Sequence, residues 1–356
     1  MLQLSQATCV KIKPRCFLAG FLFSFFILLL NGCTTSSSTA NFSTGNLLCD
    51  LPGIPDRVVL TEVPFFPQQD YQCGPASLAM VLAYRKVTVT PDDLVKQIYL
   101  PERKGTLTPE IVAAVRQYEF VPYVLPGGMH DLLIEVAAGN PVLVMQNLGL
   151  SWYPVWHYSV VIGYDMKGQY LIMRSGVDAE RITTFRNFEN TWARADHWAL
   201  VVAARDQLPA TASVLPWLQD ADDLSATGHD VGAHHAYVMA SEKWPENDMV
   251  WFALGNSFYQ QQKPAEAEQA YRRALDIKNI NPEVLNNLAY ALSGQGCRRQ
   301  AIRAANCAAI QAPENISIQE TMQELSSKHF SQPQSSLHCS AVNYCAAVGK
   351  IKLSKQ

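Results

Sequence analysis

The spacing of hydrophobic side chains changes twice along the chain. Between residues 73 and 118 it is helical, with Ala76, Leu78, Ala79, Val81, Leu82 and Tyr84 in one stretch, Leu94, Val95, Ile98 and Tyr99 in a second, and Ile111, Val112, Val115 and Tyr118 in a third. Gly74 and Pro75 open the first helix, so Cys73 falls at its N-terminus. Thr90 with Pro91, and Thr108 with Pro109, signal the starts of the other two. A short strand from Val58 to Val63 precedes them. From Phe120 the apolar residues come in strand-length runs: Phe120 to Leu125, Asn140 to Gln146, His157 to Tyr164, Gln169 to Arg174, Arg181 to Phe185 and Trp198 to Ala204. Helices are predicted at Met129 to Ala138 and in a short segment ending at Trp192, and the turn at Asp165 to Gly168 predicts a hairpin. Helices first and an antiparallel sheet second give an α+β domain, with a site expected between the halves.

Beyond Pro209 to Pro216 the strand signal vanishes and a period of 34 residues takes over. Ala233, Ala267 and Ala301 repeat at that spacing, as do Ala240, Ala274 and Ala308, Gly255 and Ala289, and Tyr237 and Tyr271 with Ala305 in the third copy. Pro245 and Pro313 end the first and last units. Together with the run from Trp251 to Phe258, this pattern resembles tetratricopeptide (TPR) repeats. The resemblance implies an all-α domain of stacked helix pairs that presents a concave surface to a protein partner.

The ends of the chain differ from its middle. Lys11, Lys13 and Arg15 precede an apolar run from Cys16 to Leu30, too short for the roughly 20 residues of a spanning helix, and Leu30-Asn31-Gly32-Cys33 follows. That stretch resembles a bacterial lipobox, which implies cleavage after Gly32, acylation of Cys33, and a protein held in the cell envelope facing the periplasm, more consistent with the outer membrane than the inner. Residues 34–44, rich in Ser and Thr, are expected to form a flexible tether. The whole chain has a formal net charge of −3, with neither a basic patch nor a nucleic-acid motif, so nothing points to a nucleic-acid partner. No metal or cofactor motif stands out: His229, His234 and His235 cluster without a cysteine or a matched carboxylate pair. Pairs drawn from Cys297, Cys307, Cys339 and Cys345 are plausible disulfides outside the cytoplasm, and with Cys49 the count is odd, so sequence assigns no pairing. The tail ends on Lys350, Lys352 and Lys355 without a legible role.

Candidate chemistry concentrates on Cys73. The unpaired N–H groups and positive dipole at a helix N-terminus favour its thiolate, the nucleophilic form. His157, 84 residues downstream at the head of a strand, is the candidate proton partner. The Gln-rich approach to Cys73-Gly-Pro-Ala and the run from His157 to Asp165 resemble the bacteriocin-processing, double-glycine-leader cysteine peptidases over roughly residues 57–206. That resemblance implies a papain-like fold, Cys73 as nucleophile, His157 as base and Gln68 as oxyanion donor, although the family's Gln commonly sits one residue further from the Cys, where this chain has Pro67. The family's third member, an acid, is expected near Met173 to Gly176, and none is present there. Ser175, a backbone carbonyl, Asp178 or Asp196 are the alternatives, while Asp165 lies in the hairpin turn and Arg174 accepts no hydrogen bond. The family's Gly-Gly specificity does not carry over with the resemblance, because leader peptidases are usually fused to a transporter.

The expected organisation is a signal peptide at 1–32, a lipid-anchored tether at 33–56, a papain-like cysteine peptidase domain at 57–206, a linker at 207–216, TPR-like repeats at 217–326 and a tail at 327–356. Two functions fit. One is an exported, lipid-anchored cysteine peptidase that cuts peptide or protein substrates. The other is a non-catalytic peptide-binding scaffold built on a degenerate peptidase fold.

Overall fold

The computed structural model describes residues 53–68, 71–203, 206–278, 280–327, 339 and 341–342. The signal peptide, Cys33, Cys49, Cys345, nearly all of the tether and most of the tail lie outside the described residues. Within them, no helix is long and apolar enough to cross a membrane.

Three helices carry the first half of the α+β domain: α1 (Cys73–Tyr84), α2 (Pro91–Ile98) and α3 (Thr108–Gln117). Every residue of α1 from Gly74 to Leu82 is buried, as befits a helix apolar on all sides. Thr90 caps α2 in a full capping box with Asp93. The same signal at Thr108 works differently: Thr108 is already the first helical residue, and Leu107 precedes it without a side-chain cap.

Among the described residues, seven strands form one antiparallel sheet. They are β1 (Arg57–Val59), β2 (Pro122–Val124), β3 (Val142–Asn147), β4 (Trp156–Asp165), β5 (Tyr170–Ser175), β6 (Asp178–Thr184) and β7 (Ala199–Val202). Their order is β2-β7-β3-β4-β5-β6, with β1 pairing the far end of β4. The strand expected over Val58 to Val63 is therefore shorter, because the chain turns after Val59. Helices α4 (Met129–Ala137) and α5 (Phe185–Trp192) complete the domain. Leu78, Met80 and Leu82 of α1 share a core with Leu143, Tyr158, Val160, Ile162, Ile172 and Leu200 of the sheet. Burial of this apolar surface fixes α1 across the central strand β4.

Among the described residues, seven more helices follow: α6 (Val214–Ala226), α7 (Asp230–Lys243), α8 (Asp248–Gln260), α9 (Pro264–Ile277), α10 (Pro282–Gly294), α11 (Arg298–Gln311) and α12 (Ile316–Ser327). The alanines at the 34-residue spacing are all buried where paired helices meet. A Cβ on Gly255 would lie 2.5 Å from a ring carbon of Tyr271. One repeat later the same two positions hold Ala289 and Ala305, so a smaller residue opposite makes room for the methyl group. Gly255→Ala is expected to cost about 1–3 kcal/mol through overpacking, and adding Tyr271→Ala should remove the overpacking part of that cost. Thermal unfolding of the single and double variants tests the coupling. Cys297 is disulfide-bonded to Cys339, 42 residues on, and Cys307 is also disulfide-bonded, so the described part of the tail is stapled to the repeats.

The junction at residues 207–216 is packed rather than slack. Helix α6 starts at Val214, two residues before Pro216. Glu135 of α4, with no solvent exposure, accepts hydrogen bonds from Thr211 N (2.7 Å), Thr211 Oγ1 (2.6 Å), Ala210 N (3.2 Å) and Asn140 Nδ2 (2.7 Å). Tyr123 donates to Thr211 O (3.0 Å), and its ring meets that of the buried Trp217 of α6 at 6.4 Å with the planes tilted by 49°. Beyond it, Arg116 pairs with Asp223 at 2.8 Å, and Glu119 accepts from Gly232 N at 2.8 Å. These contacts seat the first helix pair against the α+β domain.

Candidate active site

Cys73 opens α1, and no side chain caps that helix. Its first-turn N–H groups are thus left over, and those of Cys73 and Gly74 face the sulfur together with the N–H of Tyr158 from β4. Gly74 is needed for close approach: a Cβ there would lie 2.7 Å from Cβ of Thr106, in the loop before α3. Among the described residues Cys73 is the free cysteine. It and His157 line one cleft of about 940 Å³, between the α1–α3 side and the β3–β4 loop.

His157 stands beside Tyr158 in β4, so the strand that presents an N–H to the sulfur also supplies the imidazole. Its Nε2 lies 2.9 Å from Ser175 Oγ at the end of β5. Nδ1 is then the ring nitrogen left for the thiol. For Nδ1 to receive the thiol proton, Nε2 must carry a hydrogen and donate it to Ser175 Oγ. Ser175 is therefore the alternative that meets the ring. Asp178 is exposed and 3.9 Å from Arg181, and Asp196 is an exposed turn residue at positive φ after α5; neither carboxylate bonds His157. Asp165 is engaged in its hairpin with Gly168 N and Tyr170 OH. Arg174 is buried, donating to Val63 O and Ala179 O.

Gln68 departs from its expected use. Its Nε2 donates to Ser77 Oγ and to Tyr158 O, both at 3.1 Å, and its Oε1 accepts from Gly176 N at 2.9 Å. Both amide hydrogens are engaged, so in this geometry Gln68 braces α1, β4 and the β5–β6 turn instead of pointing a free donor at the cleft. The backbone N–H groups of Cys73, Gly74 and Tyr158 are the donors left beside the sulfur.

Ionisation also departs from expectation. Burial pushes the Cys73 thiol up, outweighing the three N–H groups that pull it down. Burial, with the Arg181 guanidinium adding to it, pushes His157 down to about 4. Both groups are thus neutral near pH 7, in place of the thiolate anticipated from the helix terminus. Alkylation of Cys73 by iodoacetamide should accordingly climb with pH through the alkaline range. A rate that is already level between about pH 5 and 8 would instead reveal a thiolate–imidazolium pair.

The rest of the cleft wall is aromatic and apolar on one side. Tyr153 is 69% exposed and Trp156 51%, and with Pro154 and Val155 they line the cleft on the way to His157. A run of aromatic residues between two strands, where no core needs them, was the available signal. Opposite them stand Tyr71, Leu107, Arg103 and Lys104. Among the described residues, His130 meets Asp131, His197 meets Glu189, His229 meets Glu119 and His234 meets Ser257.

Residues 60–199 match the Peptidase_C39 like family, and residues 236–296 match the TPR repeat. Among solved structures, a C39-like peptidase from Bacillus anthracis is 20% identical, the match covering 42% of this chain and 99% of that one at a TM-score of 0.37. The peptidase domain of Streptococcus ComA, a bi-functional ABC transporter involved in a quorum sensing pathway, is 19% identical over 39% of this chain and 96% of that one, at a TM-score of 0.31. The second TPR domain of human RPAP3, solved with an HSP70 peptide, is 14% identical over 32% of this chain and 93% of that one, at a TM-score of 0.30. No curated protein matches. The chain carries a C39-like peptidase domain of α+β fold followed by a tetratricopeptide-repeat domain.

Proposed function

We propose that the protein is a cysteine peptidase that cleaves peptide bonds in the cleft between α1 and β4. The observation that carries this reading is the convergence of Cys73 and a Ser175-held His157 on one cleft. His157 Nδ1 takes the thiol proton as the sulfur attacks the peptide carbonyl, and the same proton then leaves with the amine. The first-turn N–H groups of α1 stabilise the developing oxyanion, joined by Gln68 where it releases one of its two present acceptors. Water hydrolyses the resulting thioester. Incubating a proteome-derived peptide library with the protein tests this: new termini in mass spectra should vanish with Cys73→Ala and with His157→Ala.

A second reading, a peptide-binding scaffold without catalysis, is favoured by the neutral resting pair and by serine where an acid would orient the base. Absence of any Cys73-dependent terminus would decide for it. In either case the helical repeats bind a protein or peptide partner. We further propose export, with the chain anchored through an acylated Cys33 in the envelope, facing the periplasm. The disulfide-bonded Cys297, Cys339 and Cys307 support an oxidising compartment.

A further inference from the structure

The repeats contain a groove of about 1140 Å³ lined mainly by α6, α8 and the start of α10, the leading helices of three successive pairs, with Asp230 and Tyr237 from α7. Its lining is partly apolar: Leu215 is 63% and Met249 40% exposed, and Phe252 joins them. Its charge is one-sided. Asp222, Asp230, Asp248 and Glu283 line it with a single ammonium, Lys278, which sits 3.7 Å from Asp248. Asp222 accepts from Tyr237 OH and Asp230 from Ser225 Oγ, both neutral donors. Among the described residues Asp222, Asp230 and Glu283 have no cationic partner. The catalytic cleft has the opposite lining, with Arg103 and Lys104 and no carboxylate.

We infer that the groove takes a cationic peptide segment, one that places lysine or arginine against Asp222, Asp230 and Glu283 and apolar side chains over Leu215, Met249 and Phe252. The inference rests on reading the helical repeats as a peptide-binding module; it does not depend on cleavage at Cys73. An acidic segment would meet three uncompensated carboxylates, and like charges brought together across an interface are disfavoured. A polar neutral segment would leave the exposed apolar lining uncovered.

The test uses the full chain carrying Cys73→Ala, so that no cleavage can intervene. Fluorescence anisotropy is read with a labelled peptide alternating lysine and leucine, and with its counterpart alternating glutamate and leucine. The lysine peptide should bind at least about tenfold tighter than the glutamate peptide, and less tightly as salt rises. Combining Asp222→Asn, Asp230→Asn and Glu283→Gln keeps the hydrogen-bond acceptors while removing charge, and should weaken the lysine peptide about tenfold at an unchanged unfolding temperature. Equal binding of both peptides, equal binding by parent and triple variant, or no binding at all would overturn the inference. Binding that emerges only after residues 343–356 are deleted would overturn it too, by making the chain's own basic tail the occupant. Loss of catalysis in the library experiment leaves all these outcomes readable.

Discussion

Ser175→Asp is expected to raise cleavage at neutral pH by about tenfold or more. A carboxylate accepting from Nε2 would favour the imidazolium, and an opposite charge at that range moves a pKa by about 1–3 units. The direction follows from His157 as it stands, held down to about 4 by burial and Arg181. Raising it stabilises the charged pair that must form when the thiol proton is transferred. Ser175→Asn separates charge from bulk: it fills a similar volume without the carboxylate and should produce no gain. Ser175→Ala leaves Nε2 without its partner and should lower the rate. The check is kcat/KM on a peptide from the library alongside an NMR titration of the His157 ring. An imidazole pKa that fails to rise in Ser175→Asp would contradict the contact itself.

The second large effect is structural. Glu135→Ala should destabilise the protein by about 3–5 kcal/mol, because it removes a fully buried carboxylate shared by four donors and strands the buried Asn140 amide. Thr211 N, Thr211 Oγ1, Ala210 N and Asn140 Nδ2 all lose their acceptor together. Asn140 is in turn held by Arg85, whose Nη2 lies 2.6 Å from Asn140 Oδ1 and whose Nε donates to Val202 O. The loss should lower the unfolding temperature by about 5–10 °C and admit protease at residues 207–213. Glu135→Gln keeps one acceptor oxygen and should cost less. A variant that unfolds like the parent, with an equally resistant junction, would mean that Glu135 does not seat the repeats.

What the sequence made legible was local. The change from a 3.6-residue to a 2-residue period placed the helices and nearly all the strands. The 34-residue repeat placed small residues at helix contacts, and Pro75 after Gly74 placed Cys73 at a helix start. Ser175 was among the alternatives because it is close in sequence to where the family's acid belongs. The misses depend on tertiary surroundings. A helix N-terminus argues for a thiolate, but the sign at Cys73 is set by how much protein covers the sulfur, which residue spacing does not encode. Gln68 carries the right chemical group, yet its amide is committed to Ser77 and Tyr158 because α1 and β4 meet beside it. Glu135 looks like a surface residue of an amphipathic helix until the chain at residues 210–211 folds over it. The aromatic loop before His157 was visible as letters, but only the sheet shows that it walls the cleft.

The central claim is that the Cys73 sulfur forms a covalent acyl intermediate. Rapid acid quenching of a cleaving reaction, followed by mass spectrometry of the peptide containing residue 73, measures this directly. A substrate fragment in thioester linkage to Cys73, labile to hydroxylamine and absent in His157→Ala, is the predicted result. New termini that persist in Cys73→Ala, with the sulfur unmodified throughout turnover, would contradict it.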